Sequence, residues 1–75
     1  MRTVNREILE QWLDINRPNG LARLSVESGL SASTISYARK GIPPRRDRSR
    51  IRLARAVGVV EDVLFPIEGL PDPAA

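Results

Sequence analysis

Seventy-five residues suffice for one small domain whose single core is only marginally sufficient, so a second copy or a partner can add stability. The chain has neither cysteine nor histidine, which excludes disulfides, zinc sites of the usual ligand sets and a histidine general base; no enzyme, metal or cofactor is expected. The net charge of +3 hides a partition: residues 1–38 balance four arginines with four acids, residues 39–55 set Arg39, Lys40, Arg45, Arg46, Arg48, Arg50, Arg52 and Arg55 against Asp47 alone, and residues 56–75 carry Glu61, Asp62, Glu68 and Asp72 with no base. A basic block of this kind is the electrostatic footprint of a chain that grips phosphates.

Thr3 or Asn5 caps a first helix that runs to about Asn16, with Val4, Ile8, Leu9, Trp12 and Leu13 on one side and Arg6 and Glu10 spaced for a weak i, i+4 pair. Arg17-Pro18-Asn19-Gly20 breaks the chain, and Asn19 or Gly20 caps the next helix. That helix, over 21–28, places Leu21, Leu24 and Ser25 on one narrow apolar face. Gly29 stops it, because the residue just past a helix end usually sits in the left-handed region, which glycine enters without a Cβ penalty; Leu30 folds back as the apolar contact of such a cap. Ser31 starts a third helix by accepting from the N–H of Ser33 or Thr34. Ile35 and Ala38 face inward from it, one turn apart. Its other face, with Ala32, Ser33, Ser36, Tyr37, Arg39 and Lys40, has no apolar burial to explain it. Two helices joined by a tight turn of three or four residues containing glycine are the geometry of a helix-turn-helix, whose second helix lies in the major groove of DNA.

Beyond it, the connection over 41–46 is kept extended by Pro43 and Pro44 and displays arginines. Asp47 or Ser49 caps a fourth helix reaching Val57, in which Ile51 and Ala54 face the core, with Leu53 and Val57 as further candidates. Gly58 ends it. Residues 61–65 make a final short helix with Glu61 and Asp62 in its first turn, where the macrodipole favours acids, and Pro66 closes it. The domain is expected over 1–66, with a poorly ordered tail over 67–75. The longest apolar run, 57–60, is far short of the roughly 20 residues a bilayer span requires. No cleavable signal is visible at the N-terminus, and a cytoplasmic protein is expected.

Leu24-Ser25, Ser28-Gly29-Leu30-Ser31, Ser33-Thr34-Ile35-Ser36, Gly41, Leu53-Ala54-Arg55-Ala56-Val57-Gly58-Val59 and Glu61-Asp62-Val63-Leu64-Phe65 stand in an order and spacing that resemble the phage repressor and Cro class of helix-turn-helix domains, often called Xre-like. The match covers most of residues 3–65. It implies an all-α fold, a compact five-helix bundle of the lambda-repressor-like helix-turn-helix type. With it goes the expectation of a transcriptional regulator, a phage or bacterial repressor, that binds double-stranded DNA; because one helix of short side chains reads only a few base pairs, a homodimer on a pseudo-palindromic operator is expected, and neither a membrane partner nor a small-molecule ligand is expected. Ser25 departs from the usual alanine as a small-for-small change, Ala32 from a frequent glutamine, and Val60 from a frequent serine cap. The arginine-rich 41–47 loop is not something the resemblance predicts.

Ala32, Ser33, Thr34, Ser36 and Tyr37 are the expected base-reading residues. Serine and threonine bond to either kind of base edge, and alanine or the threonine methyl touches a thymine methyl, so such a helix reads sequence softly. Asn19, Ser31, Arg39, Lys40, Arg45, Arg46, Arg48 and Arg50 are the expected phosphate-gripping residues, and Gly29 is the pivot of the turn. Against these stand a merely solvated helix face and a solvated loop. Trp12 and Phe65 are expected in the core. Adjacent helical acids point in different directions, so Glu61 and Asp62 are helix-start chemistry and no catalytic pair. The other functional class open to this sequence is a protein-binding module of antirepressor or antitoxin type, docking its basic loop on an acidic partner. An apolar strip at Val60, Val63, Leu64 and Ile67 is the expected dimer surface.

Overall fold

The computed structural model describes residues 2–67, which form five helices: α1 (Arg6–Ile15), α2 (Gly20–Ser28), α3 (Ala32–Arg39), α4 (Asp47–Val57) and α5 (Glu61–Leu64). Among the described residues there is no strand, only an isolated antiparallel bridge between Arg2 and Ile67, and no helix is long and apolar enough to cross a membrane.

Asn5 starts α1 by accepting the Ile8 N–H on its Oδ1 at 3.4 Å. Thr3, the other candidate cap, lies in a clasp instead: its N–H donates to the Pro66 carbonyl at 2.9 Å, and the Asn5 N–H donates to the Leu64 carbonyl at 2.8 Å. Ile67, expected in a loose tail, belongs to this clasp through its bridge to Arg2. The rest of that expected tail, 68–75, lies outside the described residues. The Arg6–Glu10 pair does not form, because Glu10 is taken by Arg39 of α3.

Asn19 stands at the cap of α2 but makes no side-chain cap bond, and the helix begins at Gly20. A Cβ on Gly20 would lie 2.8 Å from the Leu13 carbonyl oxygen, so the absence of a side chain there lets α2 close on α1. Gly29 ends α2 at φ 72°, the left-handed region expected for it. Two hydroxyls tie the turn that follows. Ser25 Oγ donates to the Leu30 carbonyl at 2.6 Å; Ser28 Oγ donates to the Leu24 carbonyl at 2.6 Å and accepts the Leu30 N–H at 3.3 Å. Ser31 then caps α3, accepting from the Thr34 N–H at 3.2 Å.

Leu9, Leu13, Leu24, Ile35, Ala38, Leu53, Ala54, Leu64 and Phe65 form the core, with all five helices contributing; Trp12 packs against it half-buried. Two expectations about the later helices are corrected. The helix α4 starts at Asp47 with Arg46 in the cap position, and neither Asp47 nor Ser49 caps it. Its inward stripe is Arg50, Leu53, Ala54 and half-buried Val57, the i, i+3, i+4, i+7 set. Ile51 lies one position off that stripe and is 43% exposed. Gly58 ends α4 in the left-handed region at φ 94°. The helix α5 stops at Leu64, one residue early, and Leu64 is fully buried, which removes it from the expected dimer strip. Truncating such a side chain to alanine costs about 2–5 kcal/mol, comparable with much of the stability of a small domain, so a core leucine cannot also serve a surface.

Candidate nucleic-acid interface

The inward pair Ile35 and Ala38 fixes the rotation of α3, and this decides what its outer face shows. Ala32, Ser33, Tyr37, Arg39 and Lys40 are exposed, and Thr34 and Ser36 are half-buried. Ala32, Ser33, Ser36, Tyr37 and Lys40 line one shallow cleft, so four of the five expected base-reading residues share a surface. Thr34, the fifth, lies toward the other side, where its hydroxyl pairs with that of Ser31 at 3.0 Å. The Tyr37 ring is 54% exposed, with the Lys40 ammonium 5.8 Å from its centroid, within cation–π range.

Thr34 and Tyr37 also face a second groove of about 510 Å³, whose other walls are Ile42, Pro43, Pro44, Arg45, Arg46 and Ser49. Tyr37 is common to both depressions, so the hydroxyl face of α3 and the basic connection are continuous across it. Ile42, Pro43, Pro44 and Ser49 are additions to the expected site. The two prolines signal a stiff connection in the sequence, but nothing local says that it folds back against α3. The Ile42 N–H donates to the Tyr37 carbonyl at 2.9 Å, and this turns the chain there.

The expected phosphate-gripping residues divide into two groups. Lys40, Arg45, Arg46 and Arg48 are exposed and make no side-chain hydrogen bond or ion pair among the described residues. Arg39 and Arg50 are engaged. Arg39 clamps Glu10 of α1 with Nε to Oε1 at 2.7 Å and Nη2 to Oε2 at 3.1 Å; this bond holds the Glu10 carboxyl below its ordinary pKa and raises that of Arg39. Arg50 is only 8% exposed. Its Nε donates to Glu61 Oε2 at 2.8 Å, its Nη1 to the carbonyls of Pro44 and Arg45, both at 2.8 Å, and its Nη2 to Asp47 Oδ1. A guanidinium that spends four of its five N–H donors inside the fold and is this deeply buried is not presented to a phosphate, which removes Arg50 from the gripping set. The signal was present in the sequence: Arg50 sits at i, i+3, i+4 with Leu53 and Ala54, on the inward stripe. Asn19 and Ser31 stand at the starts of α2 and α3; Asn19 is exposed and free of a cap bond, whereas the Ser31 hydroxyl is committed to Thr34.

No protein-family model, curated protein or solved structure matches this chain.

Proposed function

We propose that the protein is a sequence-dependent binder of double-stranded DNA, a transcriptional regulator of phage or bacterial repressor type. In this reading α2, the turn at Gly29 and α3 act as a helix-turn-helix in a five-helix, lambda-repressor-like bundle. The helix α3 enters the major groove, while Lys40, Arg45, Arg46 and Arg48 grip phosphates on the same side. The observation that carries the reading is the continuity, through Tyr37, of an exposed hydroxyl face with the exposed cations Lys40, Arg45 and Arg46, which make no ion pair among the described residues. Phosphate contacts position a protein and base-edge contacts specify its site, and one surface offers both chemistries.

A single α3 with short side chains discriminates among few base pairs, so the protein acts as a two-fold pair on a pseudo-palindrome, its two copies of α3 about 34 Å apart. The contact surface is the apolar cleft beside α5 lined by Ile51, Val59, Val60 and Val63, with Val60 67% and Val63 44% exposed. Titration of duplex DNA over a salt series, with the mass of the complex, tests both parts. Four cations per chain predict a log–log slope of about −0.9 × 8, roughly −7, for the pair and about half that for one chain. Arg45→Ala and Arg46→Ala weaken binding to all duplexes alike, whereas Ser33→Ala or Tyr37→Ala changes the preference among them. A salt-insensitive or absent shift of random duplex would reject the DNA reading and favour an acidic protein partner.

A further inference from the structure

Arg50 makes more bonds than its place in the fold requires. A buried ion pair is dispensable for stability where both partners can give way to apolar side chains of similar volume, and position 50 begins the inward stripe of α4 that continues through core residues Leu53 and Ala54. Its bonds, however, converge on one segment. Nη1 donates to two consecutive carbonyls, those of Pro44 and Arg45, while Nη2 holds Asp47 at the start of α4 and Nε reaches Glu61 of α5.

Successive carbonyls along extended backbone point to opposite sides, so two of them meet on one nitrogen only over a narrow range of φ and ψ at the residue between. That residue is Arg45. The second of these carbonyls belongs to the peptide that enters Arg46, which is itself fixed as the residue before α4 at φ −83°, ψ 133°. Pro43 and Pro44 restrict the chain on the other side. The directions in which the Arg45 and Arg46 side chains leave the backbone are therefore set by one guanidinium. That guanidinium is in turn anchored to Glu61, which also lies 3.5 Å from Arg2 in the terminal clasp.

We propose that Arg50 is a positioning residue, holding the 43–46 connection in one conformation so that Arg45 and Arg46 are presented beside α3; the ligand they meet rests on the DNA reading above, the holding does not. Lysine keeps the charge at position 50 but gathers its three donors on one nitrogen in place of a planar fork, and cannot serve two carbonyls and two carboxylates together.

The test uses the full chain in three forms: the protein as it stands, Arg50→Lys, and Arg50→Met/Glu61→Leu, which removes both charges and keeps the core filled. An arginine-specific protease, with products resolved by mass, reads local opening site by site. In both variants, cleavage after Arg45 and Arg46 rises about tenfold relative to cleavage after Arg23 in α2. Equal acceleration at all three positions, as from general unfolding, or none, overturns the proposal. Duplex binding supplies the second arm. Arg50→Lys weakens it several-fold at unchanged net charge, and Arg45→Ala/Arg46→Ala costs less in the Arg50→Lys background than in the unaltered protein, because contacts already misplaced cannot be lost twice. Additive losses, or unchanged affinity beside an opened connection, overturn the positioning role. If the unaltered protein binds no duplex, the DNA reading fails, while the cleavage pattern still decides whether Arg50 holds the connection.

Discussion

The turn between α2 and α3 and the connection between α3 and α4 flank the same helix, yet they are held in opposite ways. Every bond that shapes the turn spans five residues or fewer: Ser25 to Leu30, Ser28 to Leu24 and Leu30, Ser31 to Thr34. The connection turns locally at Ile42 but is pinned at its far end by Arg50, whose Nε partner Glu61 is eleven residues further on in α5. The turn is a local code, with its information in the single stretch 24–34. The conformation of the connection is conditional on a helix that forms elsewhere, so a change at α5 can reach Arg45 and Arg46 without touching them.

The largest expected effect strikes the conditional side. Arg50→Met alone removes one partner of a buried network, leaving the Pro44 and Arg45 carbonyls unmatched and Glu61 with Arg2 as its remaining partner. Losses of this kind run to about 3–5 kcal/mol, and the lower end applies here because Glu61 retains Arg2 and the Asp47 side chain is 81% exposed. Adding Glu61→Leu should restore most of the loss. Urea denaturation of the single and double variants checks this; a single variant as stable as the parent would mean that the network is ornamental.

On the local side the expected loss is smaller. Gly29→Val places a β-branched residue at φ 72°, for about 1–3 kcal/mol. The atom nearest to a Cβ there is Arg52 Nη1 at 3.8 Å, an ordinary contact, so the cost is backbone strain and not collision. Gly29→Asn should therefore recover part of it, since asparagine tolerates the left-handed region. Thermal melts of the two variants decide. Equal melting points for valine and asparagine would point to a steric origin and remove the distinction between turn and connection.

This contrast also explains what was legible in the sequence. Gly29, Ser31 and the inward pair Ile35 and Ala38 act through neighbours, so spacing alone located them, and the five helices followed from the same short-range signals. In the sequence Ser25 is only a small residue standing in for alanine, because its acceptor, the Leu30 carbonyl, is defined only once the turn closes. An inward Ile51 is what residue type suggests, whereas the i, i+3, i+4 spacing from Leu53 and Ala54 falls on Arg50. Asp47 and the Arg45 and Pro44 carbonyls stand three to six residues from Arg50, whereas the Glu61 carboxylate, eleven residues on in α5, is brought there by the fold. The eight cations of 39–55 likewise read as one basic block, whereas packing engages two of them internally. Charge counts predict an electrostatic footprint, but which cations remain free is a tertiary property.

The smallest effect separates stability from binding at the other engaged cation, Arg39. Its clamp on Glu10 joins α1 to α3 with both side chains roughly half exposed, so it contributes only about 0.2–1 kcal/mol and weakens with salt. The bond lowers the Glu10 pKa below its ordinary 4.5, so this contribution is fully present above the ordinary carboxylate range and is lost as pH falls through the depressed value. The raised pKa of Arg39 is the same bond seen from its other partner: its contribution is fully present below the ordinary arginine range and is lost only as pH rises above that range. Glu10→Gln should therefore lower the urea midpoint slightly at pH 7 and not at all at a pH well below the depressed carboxyl value. The same substitution frees a guanidinium on α3 beside Lys40. If Arg39 can reach a phosphate, duplex affinity should rise as stability falls, and the salt slope should steepen by about 0.9 per chain. Affinity unchanged or reduced would instead assign Arg39 to the joint between α1 and α3, leaving Lys40, Arg45, Arg46 and Arg48 as the cations of the proposed DNA interface.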